Sequence, residues 1–233
     1  RQKELSIMIL ANFNAAVDYI VVKLADDESS AVHLTIGSMF VGARAMTATS
    51  GGGFDLMTES VSLAGMIENP LVIVNVQRPG PATGLPTWTA QADLDLVVNA
   101  GHGEFGRMVI SVGGADDAYY IIAEAFNYAE KFQIPVVVLS DKHIADSLML
   151  VEGFEKGRVS IERGLIDPDG DVVSEMRYAL TDSGVSPRWL PCSNEANYFA
   201  NGDEHFVDGT LTEEAEESGL MAEKRMRKMD TLL

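Results

Sequence analysis

Three consecutive carboxylates, Asp26, Asp27 and Glu28, stand where the apolar run YIVVKL (19–24) gives way to a segment of helical period. Acids at a strand-to-helix junction can cap the helix and compensate its dipole, which needs no chemistry. Alternatively, one of them can be held at the mouth of a sheet to take or share a proton. Arg78 is a second candidate. It directly follows VIVNV and opens QRPGPATGLPT, a connection with three prolines and two glycines, stiffer than a passive loop needs. Its guanidinium suits a carboxylate or phosphate gripped bidentately, or it is a surface cation paired with one of many acids. The third candidate is Ser50-Gly51-Gly52-Gly53, set between a β-type run (44–49) and a helical pattern. Such a run of glycines serves a turn with positive φ, or lets something approach the backbone closely.

Several chemistries are excluded by what surrounds these residues. A nucleotide P-loop needs a GK[ST] ending and a dinucleotide fold needs GxGxxG, whereas Phe54 and Asp55 follow the glycines here. PDGDVV (168–173) lacks the spacing of an EF-hand loop. His33, His102, His143 and His205 are scattered without metal-ligand spacing, so no metal site is expected. Cys192 is the sole cysteine. It permits no internal disulfide, cannot hold an iron–sulfur cluster by four thiolates, and suits a reducing, cytoplasmic location. With 35 acidic against 17 basic residues the formal charge is −18, which repels nucleic acid. No apolar run reaches the ~18 residues of a membrane helix. The 233 residues suffice for one or two domains.

The elements that must position the candidates follow from periodicity. Residues 4–17 alternate at helical spacing, and 19–24 read as a strand. Residues 27–40 read as a helix with Ala31, Leu34, Ser38 and Val41 on one stripe. Further strands are expected at 44–49, 70–76, 108–112 and 134–140. Helices are expected at 54–67, 90–99 and 116–132. Five apolar strands alternating with helices predict an α/β protein whose parallel sheet is covered by helices on both faces. Ligands of such sheets sit outside the carboxyl ends of the strands, where ADDE, SGGG and QRPGPATGLPT fall. Beyond Leu150 the pattern decays into an irregular arm. A terminal helix follows, with Glu213, Glu214, Glu216 and Glu217 in its first turns and Lys224, Arg225, Arg227 and Lys228 in its last, the order the helix dipole favours. The chain opens on Arg1 without an initiator Met or a signal peptide, as expected of a fragment.

GARAMTATSGGGFDLM, VNVQRPGPATGLPT, GHGEF, IPVVVLSDKHIADS, RYALTDSGVSPRWLP, NGDEH and KRMRKMD occur in this order over nearly the whole chain. Together they resemble the alpha subunit of 2-oxoacid:ferredoxin oxidoreductases. The resemblance implies a thiamine diphosphate pyrimidine-binding α/β domain over 1–150, with its first strand expected before Glu4. An extended arm and C-terminal helix over 151–233 would lead to a further domain. The family's TSGPG loop corresponds to Thr49-Ser50-Gly51-Gly52-Gly53, with Gly52 in place of proline.

In that correspondence Glu28 is the catalytic glutamate, bonded to a pyrimidine ring nitrogen of the cofactor. Ser50 and Gly51 line the cofactor, and Arg78 receives the substrate carboxylate. The implied reaction is oxidative decarboxylation of a 2-oxoacid, of 2-oxoglutarate type, with the acyl group passed to coenzyme A and electrons to ferredoxin. No GDG…NN diphosphate–magnesium signature is present, since Asp169-Gly170-Asp171 has the wrong order. The diphosphate half, magnesium and an iron–sulfur cluster are therefore expected on a beta subunit. A gamma subunit is a further partner, ferredoxin docks through the cluster-bearing partner, and the chain is not active alone. Two rivals are a non-catalytic assembly subunit and another thiamine diphosphate-dependent decarboxylase.

Overall fold

The computed structural model describes residues 7–11, 20–155, 157–167, 176–193 and 197–232, with the side chains of 7–11 left aside. In chain order the first elements are β1 (Ile7–Ala11), β2 (Ile20–Leu24), α1 (Glu28–Phe40), β3 (Arg44–Ser50), α2 (Gly51–Asp55), α3 (Thr58–Met66) and β4 (Leu71–Gln77). Then come α4 (Leu94–Val98), β5 (Met108–Ser111), α5 (Ala115–Phe132), β6 (Pro135–Asp141) and α6 (Lys142–Asp146). The arm carries β7 (Ile166–Asp167) and β8 (Arg188–Trp189), and α7 (Ala215–Leu232) follows.

The main sheet has the order β2-β1-β3-β4-β6-β5. β3, β4, β6 and β5 pair in parallel, while β1 is antiparallel to both of its neighbours. β2 thus runs in the same direction as the central strands, and only β1 is reversed. The α/β expectation holds, with one inverted strand inserted near the edge.

β4 and β6 are central because β-branched residues can be buried on both faces. Leu71, Ile73, Val137 and Leu139 enter one core with Val32 and Ile36 of α1, Phe54 of α2 and Val61 of α3. Val72, Val136 and Val138 enter the other, with Ala125, Phe126, Ala129 and Phe132 of α5. Each such side chain contributes about 1.5–3 kcal/mol on burial, and the two cores hold the strand ends rigidly in register.

Three expectations are corrected. Residues 4–17 do not read through as a helix: 7–11 form a strand, since a short apolar run such as IMILA fits either period. In α1 the buried stripe is Ala31, Val32, Thr35, Ile36 and Met39, while Leu34 and Val41 are exposed, because the helix packs against both cores rather than along one line. The expected helix 54–67 is two helices, parted where Leu56 and Met57 donate back to Gly53 and Phe54 in a tightened turn.

The basic run at the chain's end is also placed differently than its order suggested. α7 has no basic residue in its last turn. Lys224 and Lys228 are buried on the carboxylate of Glu68, at 2.6–2.7 and 2.5 Å, and Arg225 pairs with Glu204. Arg177 of the arm donates to the Glu68 carbonyl and to Gln133 Oε1, both at 3.0 Å. The arm and α7 are thus fastened to the domain by buried charge. The loop 168–173 lies outside the described residues.

Candidate functional site at the carboxyl edge of the sheet

The acidic junction before α1 divides its labour. Asp27 is the helix N-cap, and its Oδ1 accepts from the Ser30 amide at 2.6 Å. That bond, chiefly to the backbone of Ser30, holds the Asp27 carboxyl below its ordinary range. Capping is therefore satisfied by one residue. Glu28, the first residue of α1, is buried instead, and its side chain lies against Gly53 of the next βα unit.

The glycines after β3 explain themselves once their neighbours are known. A Cβ on Gly53 would stand 2.0 Å from Thr49 Oγ1 and 2.9 Å from Glu28 Cγ. On Gly52 it would stand 3.5 Å from the Ala82 carbonyl and 3.9 Å from Arg78 Nη2. On Gly51 it would stand 2.7 Å from Asp93 Oδ2. None of the three has positive φ, so at Gly51 and Gly53 the bare backbone serves close approach rather than turn geometry, whereas a Cβ at Gly52 would make only ordinary contacts. Each glycine faces a different ionisable side chain: Asp93, Arg78 and Glu28 in turn. Ser50 stands at the N-cap of α2, and its side chain makes no capping bond.

The loop that carries Arg78 is folded on itself and pinned at its return. Leu85 N donates to Pro79 O at 3.2 Å and Gly84 N to Pro81 O at 3.0 Å. Gly84 has φ +52°, and a Cβ there would lie 1.9 Å from Pro79 O, so only glycine fits. On the return leg, Gln91 Nε2 donates to Asp141 Oδ2 at 2.8 Å, and His143 N donates to Thr89 Oγ1 at 3.2 Å. Gln77, at the end of β4, accepts from Asp93 N at 3.1 Å and donates to Ser140 O at 3.2 Å. The start and end of the loop are therefore fixed to the tips of β4 and β6, which sets the base of Arg78.

Asp93 was not among the residues singled out by sequence. A carboxylate directly before a short helix reads as a cap, and QAD followed by LDLVV offers no other signal. Asp93 does occupy the N-cap position of α4, but its side chain caps nothing. It is buried, and Oδ2 accepts from Asn75 Nδ2 at 3.1 Å. Burial raises its pKa above the ordinary value, opposed by the Asn75 bond, reinforced by Asp55 and opposed by Arg78.

A sheet that gathers two buried carboxyl groups, a guanidinium and bare glycine backbone at its carboxyl edge is that of a ligand-binding α/β domain. Residues 4–227 match the family described as "Pyruvate flavodoxin/ferredoxin oxidoreductase, thiamine diP-bdg", and the chain belongs to that family. It is 43% identical over 213 residues to 2-oxoacid:ferredoxin oxidoreductase 1, subunit alpha, of Sulfurisphaera tokodaii, covering 91% of this chain and 34% of that one. It is 41% identical over 139 residues to the 2-oxoglutarate synthase subunit KorA of Archaeoglobus fulgidus, covering 56% of this chain and 40% of that one. The solved structure of 2-oxoglutarate:ferredoxin oxidoreductase from Magnetococcus marinus, with 2-oxoglutarate, coenzyme A and succinyl-CoA bound, superposes with a TM-score of 0.84. The two chains are 36% identical, and the match covers 89% of this chain and 36% of that one. The chain thus spans about a third of the length of the first of these curated relatives. No helix among the described residues is long and apolar enough to cross a membrane.

Proposed function

We propose that this chain is the pyrimidine-side domain, with its C-terminal arm, of the alpha subunit of a thiamine diphosphate-dependent 2-oxoacid:ferredoxin oxidoreductase. Residues 1–150 form the cofactor-facing domain, and 151–233 the arm that leads to a following domain. The substrate class is a 2-oxoacid of 2-oxoglutarate type, converted to its coenzyme A thioester with electrons delivered to ferredoxin. The names borne by the relatives support this reading, and one observation carries it. Glu28 and Arg78, far apart in sequence, approach neighbouring glycines of the Gly51–Gly53 turn.

The residues present fit the cofactor. The bare backbone at Gly51 and Gly53 lets Asp93 and Glu28 stand close against the turn, and the buried Glu28 carboxyl group would meet a ring nitrogen there. Thiamine diphosphate supplies the electron sink that lets a 2-oxoacid lose carbon dioxide. Glu28 holds a proton against the ring nitrogen of the aminopyrimidine, a role that needs a carboxyl group with little competing water. Ser50 and Gly51 offer backbone at the cofactor's edge. Arg78 receives the substrate carboxylate, for which a fork-shaped cation is suited.

The net charge of −18 disfavours the anionic diphosphate on this chain alone. A beta subunit bearing the diphosphate site, magnesium and the iron–sulfur cluster completes the site, with ferredoxin docking there and a gamma subunit as further partner. A single cysteine suits a cytoplasmic setting. Glu28→Gln in the reassembled complex tests the reading. Size is kept and the proton is lost, so turnover should fall by ~10²–10⁴-fold. Unchanged turnover would remove Glu28 from the chemistry.

A further inference from the structure

A hydroxyl and a carboxyl group converge on the bare face of Gly53. The place a Cβ on Gly53 would occupy lies 2.0 Å from Thr49 Oγ1 and 3.0 Å from Glu28 Oε1. Thr49 is the penultimate residue of β3 and Glu28 the first of α1, so the two oxygens reach one point from separate elements. Neither is firmly tied elsewhere. Thr49 Oγ1 donates to Ser50 O at 3.5 Å, well beyond the ~2.7–2.8 Å of a good O–H···O bond. Among the described residues no hydrogen bond or ion pair engages the Glu28 carboxyl, although Glu28 is only 8% exposed.

We propose that Thr49 is a positioning residue for Glu28: its hydroxyl donates to one oxygen of the carboxyl group in the cofactor-bound site and keeps the other turned toward the ring nitrogen. This rests on the reading of Glu28 given above. A glutamate side chain has several staggered rotamers and a loosely defined carboxyl torsion, and the proposed chemistry uses one orientation only. A donor on one side of the carboxyl group selects that orientation. Thr49 offers its hydroxyl from a rigid base, since β3 pairs with β4 at this residue, Thr49 opposite Asn75. Glu28 Cγ lies 2.9 Å from the same Cβ position, so the stem of the side chain is confined there as well as its head. A buried carboxyl oxygen without a donor is costly, and the hydroxyl beside it removes that cost. Gly53 completes the arrangement, because any side chain there would drive the two groups apart.

The test uses the assembled complex, stripped of cofactor and titrated with thiamine diphosphate in a calorimeter. Thr49→Val keeps the shape and removes the hydroxyl, whereas Thr49→Ser keeps the hydroxyl. Thr49→Val should weaken cofactor binding about tenfold and lower kcat by a similar factor, with KM for the 2-oxoacid within about twofold of its original value. Thr49→Ser should restore most of both losses. Unaltered cofactor affinity in Thr49→Val overturns the proposal. A Thr49→Ser variant as weak as Thr49→Val overturns it too, because the hydroxyl would then not be what matters.

A double-mutant cycle shows whether Thr49 acts through Glu28. In a Glu28→Ala background Thr49→Val should change cofactor affinity by less than about twofold, since the group it positions is gone. An undiminished loss in that background means that Thr49 acts on the cofactor or the fold directly, and the proposal fails. If Glu28→Ala alone leaves cofactor binding and turnover intact, it is the reading of Glu28 that fails, a result separate from the Thr49 outcomes.

Discussion

Two buried charged regions of this molecule are built on opposite rules. At the fastening of α7, Glu68 is fully buried and meets Lys224 and Lys228 at 2.5–2.7 Å, with Gln133 O accepting from Lys228 at 3.1 Å. At the sheet edge, Glu28, Arg78 and Asp93 are each set against a different glycine, and Asp93 has an amide where Glu68 has two ammonium groups. The first region neutralises its anion in direct contact. The second brings its charged side chains up to one turn of bare glycine backbone, the arrangement that the proposed binding role calls for. Contact charge serves stability at the first; at the second, binding is the role proposed.

The sharpest way to break this contrast is Glu68→Gln. It leaves two lysines buried without their counter-charge, a change that costs about 3–5 kcal/mol. Heat unfolding of the complex should show α7 and the arm releasing, while Gln at 28 should leave unfolding nearly unaltered. The acid limb of stability checks the same anion. Burial alone would raise the Glu68 pKa, but Lys228, Lys224 and Arg177 outweigh it and hold the carboxyl well below its usual 4.5. The unfolded chain then binds the proton first as pH falls. The stabilisation is complete above the unfolded value and is lost as pH drops below about 4.5 toward the depressed folded value. A stability that stays level from pH 5 to 3 would show that the fastening does not depend on the Glu68 charge.

How much of this was readable from the chain follows the range of each interaction. The strands 44–50, 71–77 and 135–141 and the helix 115–132 declare themselves through composition and period, and their ends place the candidate loops correctly. The glycine run is legible as a special turn. Its meaning is not, because Gly51 and Gly52 are read against Asp93 and Arg78, which arrive from another connection. The basic run of α7 looks like dipole compensation because Glu68 lies 156 residues before Lys224. Even within ADDE, spacing announces a cap but not which acid supplies it.

Arg78→Ala sharpens the contrast from the other side. Hydrogen bonds to charged groups contribute ~1.5–3 kcal/mol, so 2-oxoacid binding by the complex should weaken roughly ten- to a hundredfold. Cofactor content should be retained, since Glu28, Ser50 and Gly51 are untouched. Heat stability should move far less than in Glu68→Gln, because Arg78 is half-buried in a loop whose ends are pinned by other side chains. Normal substrate affinity in this variant would make Arg78 a surface cation.

The smallest effect is expected one residue before the proposed catalytic acid. Asp27 and Glu28 are adjacent carboxylates with different tasks, the first exposed and capping, the second buried and facing Gly53. Asp27→Ala removes an acceptor from the Ser30 amide at the helix start, and caps on exposed helix ends are modest. The melting temperature should fall by roughly 2–4 °C, while turnover of the assembled complex stays within about twofold. Asp27→Asn should restore most of the loss, since its side-chain oxygen also accepts from the amide. The opposite pattern at the two positions, stability at 27 and turnover at 28, is what a divided junction requires. If Asp27→Ala depresses turnover as deeply as Glu28→Gln, the acids act as a single unit and the separation of cap from proton carrier is wrong.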